Sequence, residues 1–503
     1  STGSFGQGYF NDGIDINSNL QALGGGDSMA LRAGNGHISI ENGNDLYLRR
    51  NGGAINFNSI GLPSGTTYGN IKMPSNTQMD FYAGNGVKLS LTQDNKISGS
   101  ASSTGSFGEV LVNGNARLRD IGGGLSFGSN VLSSNTGNYN TAMGTETLMS
   151  QTSAERNTAF GYQAGRANVT GDYNTFMGYS AGRGTTSGVY SSTVGIGNNA
   201  FYAINDSFHG VAVGSDAGYS QTDADRSTFI GQGAGYFTTT GADNTAVGAQ
   251  ALTKNVTGYG ITAVGMQALY HQNAASTVGV GQNAGYFSSG SQNVYMGTYA
   301  GYYQGSGTHN TYVGDSAGRG FGLSVATTNS NNTGIGGNAL YTITTGGANT
   351  AVGKSAGNNI TTGTHNVLVG MEAGQYVYKT SYSTHIGSNA GRYASGSSNT
   401  FMGYQAGKGG TTSAPYSSGT VNVAVGYQAL TGFTTAFHNV AIGHSAMKDN
   451  STGNYNTALG NNALRENTSG GANTALGYAA GFSLNGGNYN VLVGNGAGYS
   501  LAG

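Results

Sequence analysis

One phrase recurs along the last 360 or so residues of this 503-residue chain, and it limits the possible folds more than any other feature. The phrase ends in a glycine and is present in 21 copies, separated by 20 intervals of which 14 are 17 residues and three are 16. Helical repeats have periods of about 33 to 47 residues, whereas a coil of a β-solenoid can be this short. The sequence therefore predicts an all-β fold, a parallel β-solenoid of 21 coils with about 17 residues per coil. The repeat glycines include Gly144, Gly161, Gly178, Gly248, Gly353, Gly426 and Gly494.

The residues around each glycine predict how a coil is built. The residue just before the glycine is apolar in all 21 copies, and the residue two positions earlier is mostly Thr or Val. These two positions share one side of a strand, so we expect them to point into the coil as its core. The position between them alternates between small and aromatic residues, and we expect it on an exposed face or between chains. Three residues after the glycine, Ala is present in 20 of 21 copies, which is typical of closely approaching backbones.

Asparagine is the second regular feature, present four residues before the glycine in 15 copies. Asn tolerates left-handed turn geometry, and amides stacked one coil apart can form a ladder of hydrogen bonds along the axis. The glycine itself suits a corner that needs a positive φ or has no room for a Cβ. With about 4.8 Å per coil, the 21 coils would form a rod of roughly 100 Å.

Three intervals are longer, at 19, 22 and 23 residues, and each follows the residues Ala-Gly, a basic residue and Gly. The extra residues enter at one corner of the coil, at residues 184–192, 320–331 and 409–420. Because loops on a rigid scaffold are common binding sites, we expect these insertions to project from one edge of the rod and to contact a receptor. The candidate receptor-facing residues are Arg183, Tyr190, Arg319, Phe321, Lys408 and Tyr416.

The first part of the chain is organised differently, with short apolar segments between Asn-Gly turn signals. We expect short-strand β modules at residues 1–102, a linking β module at 103–136 and the solenoid at 137–503. The chain opens at Ser1 and not at Met, which favours a piece of a longer or processed polypeptide.

Composition excludes several classes of protein. Glycine is abundant at 92 residues, but it keeps no three-residue register and only three prolines are present, which excludes collagen. The net charge is −1 with no basic tract, so we expect no nucleic-acid partner. No run of about 18 apolar residues is present, so we expect no membrane insertion. The chain has no cysteine, which excludes disulfides and cysteine-based zinc sites.

Catalytic and metal-binding chemistry has little support in the sequence. A polysaccharide-degrading tailspike needs paired carboxylates, and the closest pair in the repeats, Asp223 and Asp225 beside Arg226, is typical of a solvated turn. His309, His365 and His438 each precede the repeat Asn, where other copies carry Tyr, which favours a packing role over metal ligation. We therefore expect no enzyme activity, no cofactor and no metal site.

Tyrosine is in excess, with 32 residues, several of them just past an Ala-Gly corner. Stacked one per coil, these rings could form an exposed strip that packs on sugar rings. The favoured alternative is that they pack on the neighbouring coil or chain. The corner tyrosines are Tyr219, Tyr236, Tyr286, Tyr302 and Tyr499.

A family resemblance follows from the repeated phrase Asn-Thr-Ala-Val-Gly-Ala-Gln-Ala-Leu, seen at residues 244–252. It resembles the left-handed parallel β-roll repeats in the heads of trimeric autotransporter adhesins, and more closely the longer-period versions in bacteriophage tail fibres. Residues 97–108 look like spacers of phage fibres. The resemblance implies a left-handed, homotrimeric fibre in a virion tail, outside the cell, that binds a host glycan or protein receptor and other tail proteins.

Association also follows from the size of the coil, because a 17-residue coil encloses little core and burial between chains would supply the rest. A bacterial trimeric surface adhesin, located on the cell surface, is the alternative with the same architecture. A third hypothesis is an ice-binding solenoid, since many coils carry Thr two residues before the apolar position. We expect those threonines inside the coil, and a flat exposed array of them would instead favour ice binding.

Overall fold

The computed structural model describes the backbone of residues 79–83, 86–91, 97–98, 110–112 and 116–121, and of 124–501 without 134, 186–187, 224 and 323–326. The chain divides into two compact units, Ser1–Thr104 and Gly105–Gly503. In the first unit, β1 (Met79–Ala83), β2 (Gly86–Leu91) and β3 (Ile97–Ser98) form an antiparallel sheet in that order. The other β segments that we expect before residue 79 lie outside the described residues.

The second unit begins with a meander and continues as a stack of coils. Strands β4 (Val110–Val112), β5 (Ala116–Ile121) and β6 (Gly124–Gly128) pair antiparallel, and β6 then pairs with β7 in parallel. From β7 onward, each strand pairs in parallel with the next strand along the chain. Strands β7 to β27 are Thr141–Met143, Thr158–Phe160, Thr175–Met177, Val194–Ile196, Val211–Val213, Thr228–Ile230, Thr245–Val247, Thr262–Val264, Val278–Val280, Val294–Met296, Thr311–Val313, Thr333–Ile335, Thr350–Val352, Val367–Val369, Thr384–Ile386, Thr400–Met402, Val423–Val425, Val440–Ile442, Thr457–Leu459, Thr474–Leu476 and Val491–Val493.

The register repeats without slippage. Thr245 lies opposite Thr262, Ala246 opposite Ala263 and Val247 opposite Val264, and the same alignment holds at every step. No helix is present among the described residues. The prediction of an all-β parallel solenoid with 21 coils of about 17 residues is confirmed.

The repeat glycines lie in one file along the stack, each directly after a strand. Their φ angles are between 126° and 144°, a region that L side chains rarely adopt. From Gly144 to Gly477, an added Cβ would lie 2.2 to 2.8 Å from the carbonyl oxygen of the glycine one coil on. Both expected reasons for glycine, the positive φ and the lack of room for a Cβ beside the next coil, therefore apply at this corner.

The asparagines form the predicted ladder. The backbone N–H of Asn366 donates to Oδ1 of Asn349 one coil back, at 3.1 Å, and the Nδ2 of Asn366 donates to the same oxygen at 2.9 Å. The Nδ2 of Asn349 also donates to the carbonyl of Gly363, at 2.8 Å. The left-handed residue at this corner is the one before the asparagine, such as His365 with a φ of 58°, and not the asparagine itself.

The inward face of the strand differs from the prediction. In β7 to β26 the middle residue of each strand is buried, whereas the Thr or Val before it and the apolar residue after it are half-buried or exposed. The expected core pair therefore faces out, and the position expected on an exposed or inter-chain face forms the core. The interior of so thin a coil is filled by the middle residue of the strand, which ranges in size from glycine to tyrosine, and by residues of the corner that follows the repeat glycine. The alanines three residues after the glycine are buried, as expected, from Ala164 to Ala480.

The core alternates between two sources of large side chains. Where the middle of the strand is aromatic, as at Phe176, the residue four after the repeat glycine is Gly182, whose added Cβ would lie 2.2 Å from that ring. Where the middle residue of the strand is small, as at Ala246, the residue four after the repeat glycine can be large. In that coil it is Leu252, which is fully buried. No coil carries a large residue at both positions. Strand and corner therefore share one volume per coil.

His385 is the exception among the aromatic core residues because it is titratable. It lies in the middle of β21, is fully buried, and stacks on Phe401 with ring centroids 5.0 Å apart. Neither ring nitrogen has a hydrogen-bond partner, and burial lowers the pKa of His385 to about 3. The side chain is therefore neutral in the folded protein at physiological pH.

We expect His385→Phe to stabilise the protein, and to do so more at pH 5 than at pH 8. Below a pH of about 6.5 the histidine of the unfolded chain binds a proton that the folded chain cannot hold, so the wild type loses about 1.4 kcal/mol of stability per pH unit down to about pH 3. Phenylalanine fits because Phe401 occupies the same site one coil on. Thermal unfolding at the two pH values measures the difference, and an equal gain at both would contradict this assignment.

Candidate functional site

The outward side of the strands carries two columns of side chains, and this surface is here called the strand face. One column has Thr in 13 coils and Val in eight, and the other has only Met, Phe, Ile, Val or Leu. Neither column carries a charged residue in any coil. Met296 and Met402 are 43% and 44% exposed. The strand face is therefore an uncharged, largely apolar surface that runs the length of the stack.

The size of the strand face is that of a protein interface. With about 4.8 Å per coil and two side-chain columns about 7 Å apart, 21 coils present roughly 700 Å². Monomeric proteins rarely expose apolar patches above a few hundred Å². A standard interface buries about 800 Å² on each partner.

The corner tyrosines stack on the neighbouring coils. Tyr202, Tyr219 and Tyr236 lie face to face with successive ring centroids 4.8 Å apart and planes within 2° of parallel. A second stack joins Tyr270, Tyr286 and Tyr302. Inside such a stack each ring face is covered by the next ring, so the stacks present ring edges to solvent. This geometry favours packing along the rod over a platform for sugar rings, which need an open face.

Two of the three basic residues of the insertion signature, Arg183 and Arg319, close the ends of these stacks. The guanidinium carbon of Arg183 lies 5.0 Å from the ring centroid of Tyr202, and its Nη1 donates to the Tyr202 hydroxyl at 3.0 Å. Arg319 lies 5.9 Å from the Tyr302 ring and bonds to the Tyr341 hydroxyl. Both arginines are half-buried. The side chains expected to face a receptor therefore serve first as cation–π caps of the aromatic stacks.

The first insertion folds back into the core. Tyr190 is fully buried, packs edge-on against Phe176 at 5.7 Å and donates its hydroxyl to the carbonyl of Gly182 at 2.9 Å. The expectation that Tyr190 faces a receptor is therefore wrong. Its ring fills the space beside Phe176, so the extra residues of this corner carry a core side chain instead of an exposed one.

The second and third insertions are partly exposed. Phe321 is 63% exposed at the start of the second insertion, and Lys408 beside the third insertion is half-buried. In the third insertion, residues 412–415 are exposed while Ser417 is buried. Oγ of Ser417 donates to the carbonyl of Phe433 at 2.8 Å, which ties the end of the insertion to the next coil.

The third insertion encloses a cleft of about 520 Å³ against the neighbouring coils. Tyr378 and Tyr416 line it, with ring centroids 6.0 Å apart and planes 18° from parallel. Behind Tyr416 lie Tyr376 at 5.4 Å and Tyr393 at 6.0 Å. Serine and threonine side chains, together with Ala414 and Pro415, form the rest of the lining. No Asp, Glu, Lys, Arg or His lines the cleft. This cleft was not predicted, because its walls come from successive coils and meet only once those coils are stacked.

One member of the acidic pair, Asp225, and two of the three histidines, His365 and His438, have structural partners. Oδ1 of Asp225 accepts the backbone N–H of Phe208 at 2.8 Å, and Arg226 pairs with Asp243 at 2.7 Å. His365 and His438 stack on Tyr382 and Tyr455, at 5.2 and 5.3 Å. Among the described residues, no group of three His, Cys, Asp or Glu side chains could hold a metal ion. The same part of the chain has no helix long and apolar enough to cross a membrane.

Comparison of the chain with protein-family models, curated proteins and solved structures found no match. The surfaces described above therefore carry the functional argument by themselves.

Proposed function

We propose that this protein is a non-catalytic adhesive fibre, a bacteriophage tail fibre in which three copies form a left-handed rod that presents host-receptor-binding surfaces. The observation that carries the proposal is the strand face, which is uncharged over all 21 coils. A single chain in water would leave this surface unpartnered. In this proposal the fibre lies in the virion tail, and a bacterial trimeric surface adhesin has the same architecture.

A second and third copy of this chain are the partners that match the strand face best. An identical chain has the same spacing per coil and the same number of coils, so contacts made at one coil are repeated at all the others. Cyclic symmetry about the rod axis closes such an assembly without leaving an apolar strip exposed. The resemblance to trimeric β-roll fibres favours three copies.

We expect the native protein to have three times the mass of the 50.8 kDa chain, and the double variant Met296→Lys/Met402→Lys to dissociate at concentrations at which the wild type stays assembled. The two substitutions place six ammonium groups inside an apolar interface, where unpaired charges are strongly disfavoured. Sedimentation velocity over a dilution series measures this.

The matched control is Met266→Lys/Met371→Lys, because these methionines are similarly exposed, at 47% and 50%, but lie one residue after the repeat glycine and off the strand face. The control should keep the wild-type mass. A wild-type species of 50.8 kDa, or equal behaviour of the two double variants, would remove the trimer from the proposal.

Ice binding is the second candidate, because the Thr column faces out and not into the coil as expected. Thr is present in at most three successive coils of this column before Val replaces it, and the second column of the strand face never carries Thr. The outward array is therefore less regular than a continuous lattice of threonines, and the apolar column favours chain association. Thermal hysteresis in a solution of the protein, together with a monomeric mass, would rank ice binding first.

A further inference from the structure

The cleft at the third insertion has the composition of a binding site for an uncharged sugar. Sugar rings present C–H groups that pack on aromatic rings and hydroxyls that bond to polar groups. The cleft offers both, with the Tyr378 and Tyr416 rings and with the hydroxyls of Ser418 and Thr435 in its lining. Its volume of about 520 Å³ lies within the range of small-molecule sites, about 300 to 1,000 Å³.

The aromatic wall here differs from the stacks elsewhere on the rod. Tyr378 is 42% exposed, and its ring centroid lies 6.0 Å from that of Tyr416, compared with 4.8 to 5.3 Å between successive rings of the two closed stacks. The looser spacing arises because Tyr416 comes from the insertion and not from a regular coil position. Ring surface is therefore accessible from the cleft.

The insertion is anchored, which keeps the cleft open without a ligand. Oγ of Ser395 donates to the carbonyl of Ser417 at 3.1 Å, and Ala394 and Ser417 form a parallel bridge. The backbone N–H of Ser418 donates to the carbonyl of Thr434 at 2.7 Å. A wall that is already in place before binding lowers the entropic cost of holding a sugar.

The charge of the lining selects the class of ligand. No lining residue is acidic or basic, so an anionic sugar would lose hydration without gaining a partner. Like an ordinary tyrosine, Tyr416 is protonated and able to donate at neutral pH, and burial, and after it the neighbouring Tyr378, raises its pKa further. From the rings, the hydroxyls and the missing charge, we infer that this cleft binds a neutral saccharide of one to three rings. The inference rests on the proposed adhesive function and names the chemistry of its receptor.

The test is saturation-transfer NMR of the native protein with maltotriose, cellotriose, chitotriose and mannotriose, and with sialyllactose as an anionic probe. We expect at least one neutral trisaccharide to bind, and Tyr416→Ala and Tyr378→Ala each to weaken that binding by at least tenfold. Tyr416→Phe should keep most of the affinity, because the ring is retained. The control is Tyr455→Ala, an exposed tyrosine that stacks on His438 at another corner, which should bind as the wild type does.

Failure of all four neutral sugars to bind, binding unchanged in both alanine variants, or preference for sialyllactose would each overturn the inference. The mass of the protein in the same samples distinguishes failure of the sugar-binding inference from failure of the fibre proposal. A three-fold mass without sugar binding would reject the cleft alone. A 50.8 kDa species that binds sugar would reject the trimer and keep the cleft.

Discussion

Gly336→Ala is expected to destabilise the rod by about 3 kcal/mol or more, through strained backbone and a steric clash at the same atom. Gly336 has a φ of 127°, which alanine rarely adopts. Its added Cβ would lie 2.6 Å from the carbonyl carbon and oxygen of Gly353 on the next coil. Those atoms belong to backbone that is hydrogen-bonded on both sides, so neither coil can move away without breaking the parallel pairing. Thermal unfolding and the loss of β-sheet circular dichroism measure the effect.

The adjacent residue provides the control. An added Cβ at Gly337 has only the carbonyl oxygen of Asp315 within 4 Å, at 3.9 Å, and other coils carry Tyr, Gln or Met at this position. Gly337→Ala should be neutral, or stabilising by less than about 1 kcal/mol because it restricts the unfolded chain. Equal destabilisation by Gly336→Ala and Gly337→Ala would show that the column of repeat glycines has no special role.

Asn349→Leu is expected to cost about 3 kcal/mol or more, because it removes the side chain from the centre of the asparagine ladder. The substitution leaves the carbonyl of Gly363 and the backbone N–H of Asn366 without the partners they have at 2.8 and 3.1 Å. Each buried polar group left unsatisfied costs about 1 to 3 kcal/mol. Leucine has the same number and branching of side-chain heavy atoms as asparagine, with two methyl groups in place of the amide oxygen and nitrogen, so the substitution removes the hydrogen bonds without leaving a cavity. Chemical unfolding measures the change.

Asn349→Ser separates hydrogen bonding from the general effect of a substitution. Ser227 occupies the same position in another coil, and its Oγ accepts the backbone N–H of Asn244 at 3.3 Å. Serine at position 349 can therefore replace one of the lost bonds, and its cost should be clearly smaller than that of leucine. If the two variants are equally stable, the ladder contributes little and coil packing alone holds this corner.

The period of the sequence predicted the fold because each coil obeys the same steric rule. A glycine at a position with no room for a Cβ and an asparagine that bonds to its counterpart one coil back both recur at the coil length, so spacing alone located the strands. The direction of the strand side chains was predicted wrongly. A strand of three residues whose two sides are both apolar, such as Thr245–Val247, carries no polar alternation to separate inside from outside.

The pairing of large and small residues in the sequence could have shown which strand side chains point into the coil. Where the middle of a strand is aromatic, as at Phe229, the corner residue four after the repeat glycine is Gly235, and large corner residues such as Leu269 occur only in coils with a small middle residue. Such an exclusion indicates that the two positions share one interior volume. The candidate sites were harder to predict, since Tyr378 and Tyr416 meet only through the path of the insertion, and Tyr190 turned inward to fill a gap beside Phe176.

The shared interior volume also limits how such a rod can change in length. Gly285 lies between the side chains of Leu269 on the coil before and Tyr295 on the coil after, and its added Cβ would lie within 2.6 Å of both. A coil in which both the middle strand residue and the corner residue are small therefore acts as a spacer. Such a coil lies wherever the coil before it has a large corner side chain and the coil after it has a large strand side chain. Loss of that spacer would drive leucine into tyrosine, whereas loss of one of two successive Ala-Leu coils would leave every neighbour matched. Duplication or deletion of whole coils is therefore compatible with the core only between coils whose large and small residues match. The order of large and small core residues along the sequence shows where such changes in length can occur.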